Sequence, residues 1–145
     1  MRLCFQLSTV RKIHGLSVLI ILVESEALSF LIHTFSAIMG RITELTDGDF
    51  DTIIVQSKLP VLVDFWSPTC APCRMLVPVL EELADDNEGD ATIAKVNTAQ
   101  YPALVSRYGI DTLPTLLLFY QGKVVERMVG VQPKHKLQSA LDEID

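Results

Sequence analysis

Residues 61–75 read VLVDFWSPTCAPCRM: an apolar run, an aromatic pair, then Cys70 and Cys73 separated by Ala71 and Pro72. The third cysteine, Cys4, lies far away near the N-terminus. Three uses of the close pair are open: a disulfide staple, half of a metal site, or a dithiol that opens and closes as its task. Val61–Trp66 is nearly all apolar, the mark of a strand buried on both faces of a sheet. Met75, Leu76, Val79, Leu80 and Leu83 then recur at helical spacing, which predicts a helix over residues 70–86. Pro78 has no N–H to donate and should kink it. Cys70 thus falls where a helix begins, with Cys73 one turn further in. Residues three apart on a helix are neighbours, at a separation compatible with a disulfide. Unpaired N–H groups and the positive dipole end favour a thiolate at a helix start, more at Cys70 than at Cys73. One sulfur becomes the nucleophile and the other the resolver. Pro72 fits the first turn, where its missing N–H costs nothing.

Composition weighs against the other two uses. The chain has 145 residues, 49% apolar and 21% charged, an ordinary globular composition for a single domain. A domain of this size buries roughly two-thirds of its unfolded surface and needs no staple. Three cysteines also do not make a secreted-type framework. A tetrahedral zinc site would need two more ligands, and Cys4, His14, His33 and His135 are scattered. Neither a metal nor another cofactor is expected. The net charge of −6 argues against nucleic acid, which is held through Lys and Arg on phosphates.

Along the chain, one boundary stands out, near Met39-Gly40. Of 12 Lys/Arg and 18 Asp/Glu, only Arg2, Arg11, Lys12, Glu24 and Glu26 precede it, so the remainder is distinctly acidic. The expected division is therefore an extension over residues 1–38 and a domain over residues 39–145. In the domain, Arg41–Leu45 is a short, weak strand. Thr46 with Asp49 marks a helix start leading into Phe50–Gln56. Ala91–Asn97 is a strand, and Pro102–Tyr108 a short helix ended by Gly109. Thr115–Tyr120 and Val124–Val129 flank Gln121-Gly122-Lys123, a hairpin signal. Pro133–Ile144 closes the chain as an amphipathic helix. This order indicates an α/β sandwich with a mixed sheet.

These residues also carry a family resemblance. VDFW at 63–66, CAPCR at 70–74, AKVN at 94–97, YGIDTLPTLLLF at 108–119 and VG at 129–130 resemble, in order and spacing, the thioredoxin family from Arg41 to Asp145. The resemblance implies a three-layer α/β sandwich with a central five-stranded mixed sheet in the order 1-3-2-4-5, flanked by four helices. It implies reduction of protein disulfides through a reversible Cys70–Cys73 disulfide, with a thioredoxin reductase as the electron source. A monomer is expected.

Several further residues acquire roles from that resemblance. Asp64 by itself reads equally as an acid at a strand's exposed end. The resemblance favours a buried general base for the resolving cysteine, with Lys95 as its charge partner. Burial would raise the pKa of Asp64, as suits a base working near neutrality. Pro114 by itself reads as a trans proline opening a strand. DTLPT matches the family's cis-proline loop, which would aim the Leu113 backbone at an extended substrate segment. Trp66 becomes a rim residue rather than core, and Gly130 matches a position lining the substrate groove. Thr69, Ala71 and Pro72 complete the surface a partner would touch. Ala71 stands where the family usually has Gly, and Thr69 where it usually has Trp, which bears on partner choice.

Alternatives remain for function and location. One is a thioredoxin-fold binding subunit with incidental redox activity; another is an exported or membrane-anchored disulfide exchange protein. Arg2, Arg11 and Lys12, the apolar Leu16–Val23 and Ser25-Glu26-Ala27 resemble an export signal. The second apolar stretch, Ala27–Ile38, has no place in a soluble mature protein, and an anchor would bury Glu24 and Glu26. The competing expectation is a start at Met39 and a cytoplasmic protein. A membrane enters only if residues 1–38 are kept as an anchor.

Overall fold

The run at Val61–Trp66 forms strand β2, and both of its edges are taken. It pairs parallel with β3 (Thr92–Asn97) and antiparallel with β4 (Thr115–Tyr120). The computed structural model describes residues 42–144. Outside β3 lies β1 (Thr43–Glu44), parallel, and outside β4 lies β5 (Lys123–Val129), antiparallel. The sheet has five strands in the order β1-β3-β2-β4-β5. Four helices accompany it among the described residues: α1 (Phe50–Gln56), α2 (Ala71–Asp86), α3 (Pro102–Tyr108) and α4 (Lys134–Asp142).

The alternation of β2 and its neighbours divides the interior into two cores. Val61, Val63, Phe65, Ala94, Val96, Leu117 and Phe119 point toward α1 and α3, where Phe50, Ile54 and Leu104 meet them. Leu62, Ile93, Leu116 and Leu118 point toward α2 and α4, against Leu76, Leu80, Leu83, Leu137 and Leu141. The first core is aromatic: the Phe50 ring lies 6.4 Å from Phe65, 5.4 Å from Tyr108 and 5.7 Å from Phe119. The result is the three-layer sandwich with mixed sheet expected from the family resemblance.

The element ends show where local chemistry acts. Gln121 (φ 51°) and Gly122 (φ 77°) alone separate the paired residues Tyr120 and Lys123. Two successive positive φ values are the requirement of a two-residue hairpin whose twist matches its strands. At the start of α1 the expected cap is reversed. Asp49 receives the Thr46 backbone N–H on Oδ1 at 2.7 Å, while Phe50 N–H donates to the Thr46 carbonyl. The first strand is shorter than expected, and Met75 is 67% exposed rather than in the α2 core stripe. Cys73, Leu76, Leu80, Leu83 and Ala84 set that stripe, and each residue step turns a helix by about 100°, so Met75 swings outward. No helix among the described residues is long and apolar enough to cross a membrane.

Removing the centre of the aromatic core is costly. Phe50→Ala should lower the free energy of unfolding by about 3–5 kcal/mol in urea denaturation. Val55→Ala, on the same helix but 68% exposed, should change it by less than about 0.5 kcal/mol.

Candidate active site

Chain order brings the cysteines to the end of the central strand. After Trp66 the backbone leaves β2 and turns within a few residues, Cys70 N–H donating to the Ser67 carbonyl at 3.1 Å. Ser67 is buried, and its hydroxyl lies 3.2 Å from that of the exposed Thr69. Cys70 is the N-cap of α2 in an extended conformation, and its Sγ accepts the Cys73 backbone N–H at 3.2 Å. A sulfur thus occupies the place usually held by a serine or aspartate oxygen. Pro72 lies in the first turn, as its missing N–H allows.

Cys70 and Cys73 form a disulfide with a Cα–Cα distance of 5.3 Å. The two sulfurs are not equivalent. Cys70 is half-buried between exposed Thr69 and exposed Ala71, whereas Cys73 is only 2% exposed. Access comes from the Cys70 side, and the interior lies on the Cys73 side.

Beneath Cys73 is a cavity of about 170 Å³ lined by Asp64, Trp66, Arg74, Glu81 and Lys95 among others. Asp64 is 3% exposed, and its Oδ1 has no hydrogen-bonding partner among the described residues. Burial pushes its pKa from an ordinary 3.8 up to about 7, against a smaller opposing pull from the Lys95 charge. Lys95 is the in-register neighbour of Asp64 across β2 and β3, but its ammonium pairs with Glu44, at 3.7 Å. The same ammonium lies 5.4 Å from the centre of the half-buried Trp66 ring. Trp66 Nε1 has no partner among the described residues.

A second set of residues reaches the same end of the sheet from β4 and β5. Phe65 pairs with Thr115, and Thr115 with Val129, so Pro114 and Gly130 lie where residues 67–70 leave β2. The Leu113–Pro114 peptide is cis. Gly130 N–H donates to the Pro114 carbonyl at 2.8 Å, joining the two loops. Leu113 is half-buried, and Gly130 has φ 81°.

Sequence reasoning singled out eleven of these residues and missed others. Glu44, Arg74, Val77 and Glu81 belong to the cavity or its margin. Val77, Leu80 and Glu81 come four, seven and eight residues after Cys73, so helical spacing alone marks them. Glu44 carries no such local signal, because its neighbours are set by sheet pairing. Arg74 Nη1 donates to the Pro68 carbonyl at 3.1 Å, bracing the loop before the cysteines.

A disulfide at a helix start, half-buried at one sulfur and buried at the other and backed by a buried acid, marks the site of a dithiol–disulfide exchange protein. The family model for Thioredoxin matches residues 41–143, and the chain belongs to that family. It is 49% identical over 104 residues to Thioredoxin of Chlorobaculum thiosulfatiphilum, covering 72% of this chain and 96% of that one. It is 48% identical over 104 residues to Thioredoxin 2 of Chlorobaculum tepidum, covering 72% and 95%. With Thioredoxin 1 of a Nostoc species it shares 43% over 104 residues, covering 72% and 97%. The protein is a thiol–disulfide oxidoreductase of the protein-disulfide reductase type. Family membership implies protein disulfides as substrates and, typically, a thioredoxin reductase as partner.

The buried acid leaves a signature in stability. With a pKa near 7 in the fold against 3.8 ordinarily, Asp64 binds its proton more tightly folded than unfolded. That contribution is full below about pH 4 and is lost as pH rises through about 7. The displacement is equivalent to roughly 4 kcal/mol. Asp64→Asn should therefore gain stability over the parent progressively from pH 4 to 7, and keep the gain at pH 8. Urea denaturation across that range checks it, and a constant difference would contradict it.

Proposed function

We propose that Cys70 is the attacking sulfur, Cys73 the resolving one and Asp64 the general base that serves Cys73. The observation that carries this is the asymmetry of the pair: Cys70 half-buried at the helix cap, Cys73 2% exposed beside the cavity that Asp64 lines. In the dithiol form, the Cys70 thiolate attacks one sulfur of a substrate disulfide and the other sulfur leaves as a thiolate. Asp64 takes the Cys73 proton, and the Cys73 thiolate attacks Cys70 Sγ. The second substrate sulfur leaves, and the protein holds the Cys70–Cys73 disulfide. Two electrons pass to the substrate, which ends as a dithiol. A carboxyl with a pKa near 7 is suited to accept and return that proton at neutral pH. A cavity of about 170 Å³ lined by both residues is large enough to hold water, through which the proton can pass.

The remaining assignments concern the partner. An extended substrate segment lies along the loop of Leu113 and Pro114, with Gly130, Trp66, Thr69, Ala71 and Pro72 around it. Main-chain pairing in such a groove gives affinity with little dependence on side chains. Lys95 supplies positive charge near Asp64. A thioredoxin reductase returns the electrons, and the working domain is residues 39–145, in the cytoplasm, where thiols are kept reduced.

Cys73→Ser should accumulate a mixed disulfide on Cys70, because no second thiol releases the substrate. Peptide mapping of the trapped adduct checks this; trapping that requires Cys70→Ser instead would reverse the two roles. Intact-mass analysis of protein from its native host should show a chain beginning at Met39. A species beginning at Met1 or Leu28 would overturn the proposed domain start.

A further inference from the structure

Glu44, Lys95 and Asp64 lie in one row across the sheet. Glu44 of β1 is in register with Lys95 of β3, and Lys95 with Asp64 of β2. Residues in register on parallel strands project to the same face, here the face covered by α2. The row therefore runs from outside to inside as carboxylate, ammonium, carboxylate. The Glu44 side chain is 51% exposed, the Lys95 side chain 35%, and Asp64 as a residue 3%. One cation stands between two acids.

The cation is held at the outer end. Lys95 Nζ is 3.7 Å from Glu44 Oε2, and it lies above the Trp66 ring, while Asp64 Oδ1 has no hydrogen-bonding partner among the described residues. The other groups around Asp64 do not fill that place. From α2 the cavity wall carries Cys73, Arg74 and Glu81, and Arg74 is engaged with the Pro68 carbonyl. From β4 the in-register neighbour of Asp64 is the apolar Leu116.

We propose that Glu44 is a positioning residue which, by pairing with Lys95 at the sheet edge, withholds that countercharge from Asp64 beneath the cysteines. Two effects then act in the same direction. Glu44 draws the ammonium outward, and its own charge offsets what remains of the cation's field. Both disfavour the ionised form of Asp64, adding to the burial that already holds its pKa near 7. Because Glu44 and Lys95 are partly in water, the coupling is a tuning effect, on the scale of an exposed ion pair.

This inference deepens the assignment of Asp64 as general base and rests on it for its catalytic meaning. The titration of the Asp64 carboxyl carbon, followed by NMR on the full reduced chain, tests it without using activity. Glu44→Gln should weaken proton binding at Asp64 roughly threefold, moving the midpoint down by about half a pH unit. Lys95→Met should move the midpoint up. In the Lys95→Met background, Glu44→Gln should lose at least half of its effect. An unchanged midpoint in Glu44→Gln would overturn the proposal. So would an effect of the same size without Lys95, since Glu44 would then act on Asp64 directly. The pH profile of mixed-disulfide resolution, compared between parent and Asp64→Asn, judges the base assignment separately. Identical profiles there would remove the base role and leave the charge coupling standing.

Discussion

The burial of β2 is the constraint on which the rest of the molecule depends. A strand paired on both edges and covered on both faces must be apolar wherever it can be, and Val61, Leu62, Val63 and Phe65 meet that demand. Asp64 does not. A carboxyl in that position cannot be hydrated as it would be at the surface, so its neutral form is favoured. Packing that stabilises the sheet is thus also what raises the pKa of the acid toward neutrality. The strand ends at the surface of the sandwich, where the chain turns directly into α2, and this places Cys73 over the acid without a long connecting loop.

The start of α2 answers a second demand. Every helix begins with N–H groups that lack partners. Here one of them is met by the Cys70 sulfur, so the residue we propose as the attacking one also caps the helix. Its neighbour one turn along is buried by the amphipathic stripe that includes Leu76, Leu80 and Leu83. Helix periodicity therefore creates the difference between the two sulfurs: the cap faces outward, and the position three residues later faces the sheet. The unequal exposure of the two sulfurs thus derives from the geometry of an ordinary helix start.

Much of this was legible in the residues. The continuous apolar run specified a central strand, and the helical spacing after Cys70 specified the helix that succeeds it. Gln121-Gly122-Lys123 marked the hairpin, although Lys123 already pairs with Tyr120 and only Gln121-Gly122 form the turn. The order of strands and the cis peptide at Pro114 came through family resemblance, because neither is encoded in local periodicity. Met75 was misplaced because an apolar residue beside a stripe looks like part of it until the helix phase is fixed. Glu44 was invisible for a different reason. Its bond with Lys95 joins residues 44 and 95 through the pairing of β1 with β3, and only a known register brings them together. Asn87 and Gln138, whose amides exchange hydrogen bonds at 2.8 and 2.9 Å between α2 and α4, were hidden in the same way.

Trp66 is the only tryptophan in the chain. Its ring stands in the wall shared by Cys73 and Asp64, beneath the Lys95 ammonium. All of the indole emission of this protein thus originates at one point, in the cavity wall that also holds Cys73 and Asp64. Opening of the sulfur bridge and ionisation of the acid would each alter the surroundings of that single fluorophore. The molecule carries its own optical reporter, already installed by the packing of the strand it terminates.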